Sequence, residues 1–220
     1  MNQDRDVQNL EKRFAELSRL AYQRDIITYS DFLNLNEQNI LHTLPKDRIF
    51  TRIVSFGGYE MAERQMAAFI PDALYLRYGK KELTRSEIGY PFCALEIVPV
   101  NFKFAETLTH RDYLGAVLNL GIERSRTGDI LPGEKGALLF VHNDIADFIC
   151  NELSRIRHTS VRVTKVPLTD VSYTPKVEEI QGTVASVRLD SLLSLAFSQS
   201  RSRLTGLISG AKVYVNGRLI

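Results

Sequence analysis

Between Gly182 and Ile220 the basic residues are Arg188, Arg201, Arg203, Lys212 and Arg218, and the only acid is Asp190, a local excess of +4 in a chain of 220 residues with formal net charge +2. Ser200 precedes Arg201 and Arg203 where a helix cap would stand. That places two guanidinium groups in a first turn, where the positive end of the helix dipole disfavours cations and unpaired N–H groups welcome anions. A phosphate bound there resolves both. The chemistry indicated is recognition of a polyanion, although on charge alone a solvated cationic face fits the same residues.

The catalytic constellations are weaker. His110-Arg111-Asp112 has the letters of a kinase catalytic loop, but no glycine-rich loop, DFG or lysine-bearing strand accompanies it, so it reads as a helix start with Asp112 in the first turn. His142-Asn143-Asp144 has no GxSxG serine or activated cysteine to serve, and a helix cap at Asn143 or Asp144 explains it. His42, His110, His142 and His158 lack metal-ligand spacing, and no cofactor is expected. Gly57-Gly58 reads as a tight turn, since the rest of a GxxxxGK[ST] phosphate cradle is missing. The chain is read as a non-enzyme. An RNA-modifying enzyme with its site near Asp112 or Asp144, or a protein-interaction scaffold in cell division, remains as an alternative.

Four further cations, Arg111, Arg124, Arg126 and Lys135, form a secondary candidate surface. Asp112, Glu123, Asp129 and Glu134 interleave with them and partly cancel their field, so a soluble rim is the favoured reading.

The elements that position these residues follow from periodicity. An apolar share of 44% suffices for a buried core. Cys93 and Cys150 form neither a CxxC pair nor a disulfide framework, and the polar N-terminus offers neither a signal peptide nor a span of roughly 20 apolar residues, so a cytoplasmic protein is expected. Leu10, Phe14, Leu17, Leu20 and Ala21 predict an amphipathic helix over residues 6–24, and Ser30 is read as the cap of a second. Strands are expected over 47–55 and 73–78, with a helix over 60–69 between them. From residue 90 the order is strand, helix, strand pair around Pro132-Gly133, helix, strand, a βαββαβ pattern of the ferredoxin-like or RRM-like kind. Two short helices, 188–197 and 201–209, and a strand at 212–215 running into the hairpin signal Asn216-Gly217 close the chain.

The string RLDSLLSLAFSQSRSRLTGLISGAKVYVNG resembles the αL RNA-binding motif of the S-four domain. The resemblance is carried by Arg188-Leu189-Asp190, Ser200-Arg201, Leu207-Ile208 and Val213, Val215, Asn216 and Gly217. It implies a helix pair on a small sheet, with Arg188, Ser200, Arg201, Arg203, Lys212, Asn216 and Arg218 contacting RNA. The family pattern places a glycine where this chain has Ala211, with Gly210 one position earlier. It also continues into further strand beyond the equivalent of Ile220, so a shortened module is expected. FGGYEMAER (56–64) and LTHRDYLGAVLNLGIERSRTGDI (108–130) are similar to the YlmH family of bacterial S-four-domain proteins, including its cyanobacterial relatives. That similarity implies binding to structured ribosomal or transfer RNA, association with the large ribosomal subunit, ribosome-associated quality control and a link to cell division.

The resulting expectation is an α+β protein. It has a small N-terminal α/β domain (1–80), an RRM-like middle domain (81–169), a linker (170–181) and an S-four-type module (182–220).

Overall fold

The computed structural model describes residues 2–79, 81–171, 173, 178–215 and 218–219. The chain divides into two compact units, Met1–Thr174 and Pro175–Ile220.

The first unit begins with α1 (Asn2–Arg24), which buries Phe14 and Ala21 completely. Strand β1 (Thr28–Leu33) follows, where sequence reasoning placed a helix capped by Ser30. Thr28, Ser30 and Phe32 alternate inward, and the Ser30 hydroxyl accepts from the Ala67 amide at 2.9 Å, so Ser30 satisfies a strand neighbour rather than a helix end. The cap lies at Asn34, whose side chain accepts from the Glu37 amide while the Glu37 carboxylate accepts from the Asn34 amide, opening α2 (Leu35–Thr43).

Two further expectations reverse. The strand expected over 47–55 begins late, as β2 (Arg52–Phe56), after a 3-10 turn at Lys46–Arg48. The stretch expected as helix contains instead β3 (Gln65–Ile70), the centre of a three-stranded antiparallel sheet of order β1-β3-β2. Met66 through Ile70 are wholly buried on both faces, which erases the alternation that marks a half-exposed strand. ALYLRY, expected as a strand, is α3 (Asp72–Tyr78), preceded by Pro71 and closed by Gly79 at φ +60°. A fixed proline φ suits a helix entry, and a left-handed glycine suits a helix exit.

After the short α4 (Arg85–Ile88) come β4 (Phe92–Pro99), α5 (His110–Leu118), β5 (Thr127–Gly133), β6 (Gly136–His142), α6 (Asn143–Glu152), β7 (Arg155–Ile156) and β8 (Thr159–Val166). They form an antiparallel sheet of order β5-β6-β4-β8-β7, in which the two parts of a βαββαβ chain interleave and β7 adds an edge. Gly133 pairs with Gly136, so the β5–β6 turn is Glu134-Lys135 rather than Pro132-Gly133. Helix α6 starts after His142, and neither Asn143 nor Asp144 caps it. Asp144 lies in the first turn and pairs with Arg126.

Three apolar clusters stack this unit into four layers. Phe14, Leu41 and Phe69 bind α1 and α2 to the outer face of the three-stranded sheet. Phe32, Phe56 and Met66 meet Phe92, Ala94 and Phe140 between the two sheets. Leu95, Leu139 and Val163 carry α5 and α6 on the far face through Val117 and Ile149. The boundary anticipated near residue 80 therefore separates two sheets that share one core inside a single compact unit.

In the second unit, α7 (Leu189–Phe197) and α8 (Arg201–Ser209) precede β9 (Tyr214–Val215) and β10 (Arg218–Leu219), which pair antiparallel through Val215 and Arg218. The hairpin residues Asn216 and Gly217 lie outside the described residues. Gly210 takes φ −83°, whereas Ala211 takes φ +52°. The left-handed turn thus falls on the alanine, where the family pattern has glycine.

Candidate nucleic-acid interface

The cations of the second unit are organised around Asp190. This carboxylate, buried in the first turn of α7, accepts from Arg188 Nε at 3.0 Å and from Arg201 Nε and Nη2 at 3.1 and 2.8 Å. Hydrogen bonds from Arg201 and then Arg188 hold its pKa down, to about 2. The acid that the sequence showed among five bases is therefore neutralised internally. An arginine has more N–H donors than one carboxylate can take, and both guanidinium groups remain mostly exposed.

Ser200 occupies the N-cap position of α8, but its hydroxyl bonds no helix amide and lies 3.3 Å from the Ser202 hydroxyl. The first-turn N–H groups of α8 thus receive no side-chain acceptor from their cap. Arg203 and Lys212 are exposed, without an ion pair among the described residues. Asn216 lies outside the described residues, and for Arg218 only the strand pairing is described.

The secondary surface separates into two kinds of residue. Arg111 and Lys135 are exposed. Arg124 is turned inward, with Nη1 donating to the Thr127 and Gly128 carbonyls at 3.0 and 2.8 Å. Burial, then the neighbouring charge of Arg64, lowers its pKa to about 10. Arg126 is half-buried and bridges Asp31 and Asp144. Both arginines fasten structure, which removes them from a free RNA surface. Asp112 accepts from the Thr109 amide and hydroxyl at 2.8 and 2.7 Å, the helix-start role its position suggested.

The residues that sequence reasoning passed over are Tyr59, Arg64 and Asp129. Asp129 accepts from the Tyr59 hydroxyl at 2.8 Å and from the amides of Glu63 and Arg64 at 2.7 and 3.1 Å. The Arg64 guanidinium, buried, reaches the carbonyls of Thr127, Phe32 and Arg124 at 3.0, 2.8 and 3.1 Å. Burial, reinforced by Asp129, raises the Tyr59 pKa. The signal was FGGYEMAER itself. Gly58 takes φ +104°, and a Cβ there would lie 2.2 Å from the Phe140 ring, so the glycines form a turn seated on the second sheet.

This packing also decides what the five-stranded sheet can offer. RNA-recognition motifs, which share the βαββαβ topology, bind RNA by stacking bases on exposed aromatic rings of the sheet. Here Phe92 lies 5.1 Å from Phe32, and Phe140 lies 5.7 Å from Tyr59, ring centre to ring centre. Both strand aromatics are buried against the first sheet.

The family model described as "Putative RNA-binding domain in YlmH" matches residues 90–170, the span from Tyr90 through β8. A curated relative, "Ribosome-associated protein quality control protein P2" of Bacillus subtilis (strain 168), is 29% identical over 206 residues, which is 93% of this chain and 76% of that protein. The solved structure "Cell division protein ylmH from Streptococcus pneumoniae" superposes with a TM-score of 0.57 at 24% identity, covering 76% of this chain and 93% of that one. The chain is thus similar to YlmH proteins in sequence along most of its length and in fold. The streptococcal similarity speaks to the fold, and the two motifs that suggested a YlmH protein now have distinct placements. FGGYEMAER joins the sheets, and residues 108–130 supply α5 and the entry to β5. The YlmH model that names RNA matches the βαββαβ segment, upstream of the cationic module on which the charge argument rested.

Proposed function

We propose that this protein is a YlmH-type, non-catalytic RNA binder that acts on the ribosome in translation quality control, with structured ribosomal or transfer RNA as its ligand. The observation carrying the proposal is the Asp190 clamp. It engages Asp190, the one acid between Gly182 and Ile220, and leaves Arg203 in the first turn of α8, whose N-terminus lacks a side-chain cap, and Lys212 beyond its C-terminal end, both exposed and without an ion pair among the described residues. Such a surface suits backbone phosphates and carries little sequence information by itself. The matched RNA-binding model over residues 90–170 and the ribosome-associated Bacillus relative support the same reading. A cytoplasmic location, a large-subunit partner and a link to cell division belong to the proposal through that kinship. No helix among the described residues is long and apolar enough to cross a membrane.

The test is cosedimentation with purified ribosomal subunits over a salt series. The proposal expects the protein to travel with large subunits at low salt and to be released steeply as salt rises. Absence from both subunits at low salt, with no binding to deproteinised ribosomal RNA, contradicts it. Retention of protein partners after nuclease treatment favours a scaffold instead.

A further inference from the structure

The loop between β4 and α5 displays its apolar side chains to solvent. Val100, Phe102 and Phe104 are 67%, 59% and 74% exposed, with Lys103 between the rings and its ammonium 5.7 Å from the Phe104 ring centre. Apolar side chains grouped at the surface, unlike single scattered ones, mark interaction sites.

The loop is held in place while doing so. The Asn101 carboxamide oxygen accepts from the Lys103 amide at 3.0 Å within a 3-10 turn. The Val100 amide donates to the Ser160 carbonyl at 2.9 Å, and the Glu106 amide to the Thr159 hydroxyl at 3.0 Å, so both ends are laid against the β7–β8 hairpin. That hairpin is basic: residues 155–162 contain Arg155, Arg157, His158 and Arg162 and no acid. Arg157 is engaged with Glu106 and Asp112, whereas Arg155, opposite Ser160 in the register, and Arg162, opposite Val98, are exposed.

We propose that the β4–α5 loop and the β7–β8 hairpin form a binding surface for unpaired RNA. In it Phe102 and Phe104 stack on bases while Lys103, Arg155 and Arg162 meet the backbone phosphates. Rigidly displayed aromatic rings beside cations in excess over acids, here with Glu106 taken up by Arg157, are the elements of single-strand recognition, because every base has a face to stack and every phosphate a charge to meet. The charge favours RNA over an apolar protein partner. The surface lies within the segment matched by the RNA-binding model, and it replaces the sheet-face platform that Phe92 and Phe140 cannot supply. The inference rests on the RNA-binding reading above and adds the surface and the class of RNA.

Fluorescence anisotropy with the full chain tests it, using an oligouridylate of about twelve nucleotides and a blunt RNA duplex of equal length as probes. Phe102→Ser with Phe104→Ser is expected to weaken oligouridylate binding about ten- to a hundredfold and duplex binding by less than about twofold. Phe102→Tyr with Phe104→Tyr is expected to bind like the parent, since a ring remains. Arg155→Glu with Arg162→Glu, an independent route, is expected to weaken the oligouridylate and flatten its salt dependence. A parent that binds oligouridylate while the serine variant binds equally well overturns the surface and leaves the RNA reading standing. A parent that binds neither probe nor ribosomal RNA overturns both. A serine variant that changes only self-association in sedimentation identifies the patch as a protein contact and overturns the proposal.

Discussion

Arg201, in the first turn of α8, grips Asp190, in the first turn of α7, through two N–H donors to one carboxylate oxygen at 3.1 and 2.8 Å. The contact ties the helices together and fixes an arginine at the N-terminus of α8. Arg188 closes on the other oxygen at 3.0 Å.

The clamp gives the second unit an acid sensitivity. Because the folded pKa of Asp190 lies below its unfolded value, its contribution is present above the usual carboxylate range and is lost as pH falls toward about 2. Hydrogen exchange of α7 and α8 amides is expected to accelerate over that interval. Asp190→Asn is expected to remove this dependence and lower the thermal midpoint of the unit at neutral pH, and an unchanged acid profile in that variant would refute the assignment.

Ala211 holds a left-handed conformation that glycine adopts without a Cβ penalty. Ala211→Gly is expected to stabilise the second unit by about 1 kcal/mol. Urea denaturation followed by a probe in that unit checks the value, and destabilisation would show that the loop strain is illusory.

Gly58 is the opposite case. Gly58→Ala forces a Cβ into the Phe140 ring from a positive φ, and a loss of roughly 3 kcal/mol or more is expected in chemical denaturation of the first unit. A shift below about 0.5 kcal/mol would mean the turn relaxes freely.

Arg64→Met leaves the carbonyls of Phe32, Thr127 and Arg124 short of a donor and takes from Asp129 one of its two neighbouring guanidinium charges, leaving Arg124. A destabilisation of about 3–5 kcal/mol is expected, and Arg64→Lys should not rescue it, since an ammonium cannot span three acceptors held by a planar fork. Thermal melts of the two variants decide this, and a lysine variant as stable as the parent counts against the account.

These cases mark what was legible in the sequence. The α7–α8 pair, the βαββαβ order and the α5 start at His110 follow from local patterns of apolar spacing and turn or first-turn residues. Strand β3 was illegible because both of its faces are buried, so Met66-Ala67-Ala68 reads as helix by propensity alone. Helix α3 was misread because ALYLRY alternates by chance, and the true signals were Pro71 and Gly79. At the site, charge counting found the cations but could not see that Asp190 faces two of them. Arg124 and Arg126 looked like surface because their carbonyl and carboxylate partners lie on strands distant in sequence or in turns that periodicity does not resolve.

The most direct measurement of the central claim is the salt dependence of binding to purified large-subunit ribosomal RNA, for the parent and for Arg203→Ala with Lys212→Ala, which touches neither the clamp nor the core. The parent is predicted to lose affinity linearly in log–log form, and the double variant to bind more weakly with a slope smaller by about 1 to 2. Equal affinity and equal slope for the two proteins would contradict the assignment of the second unit as a phosphate-binding surface.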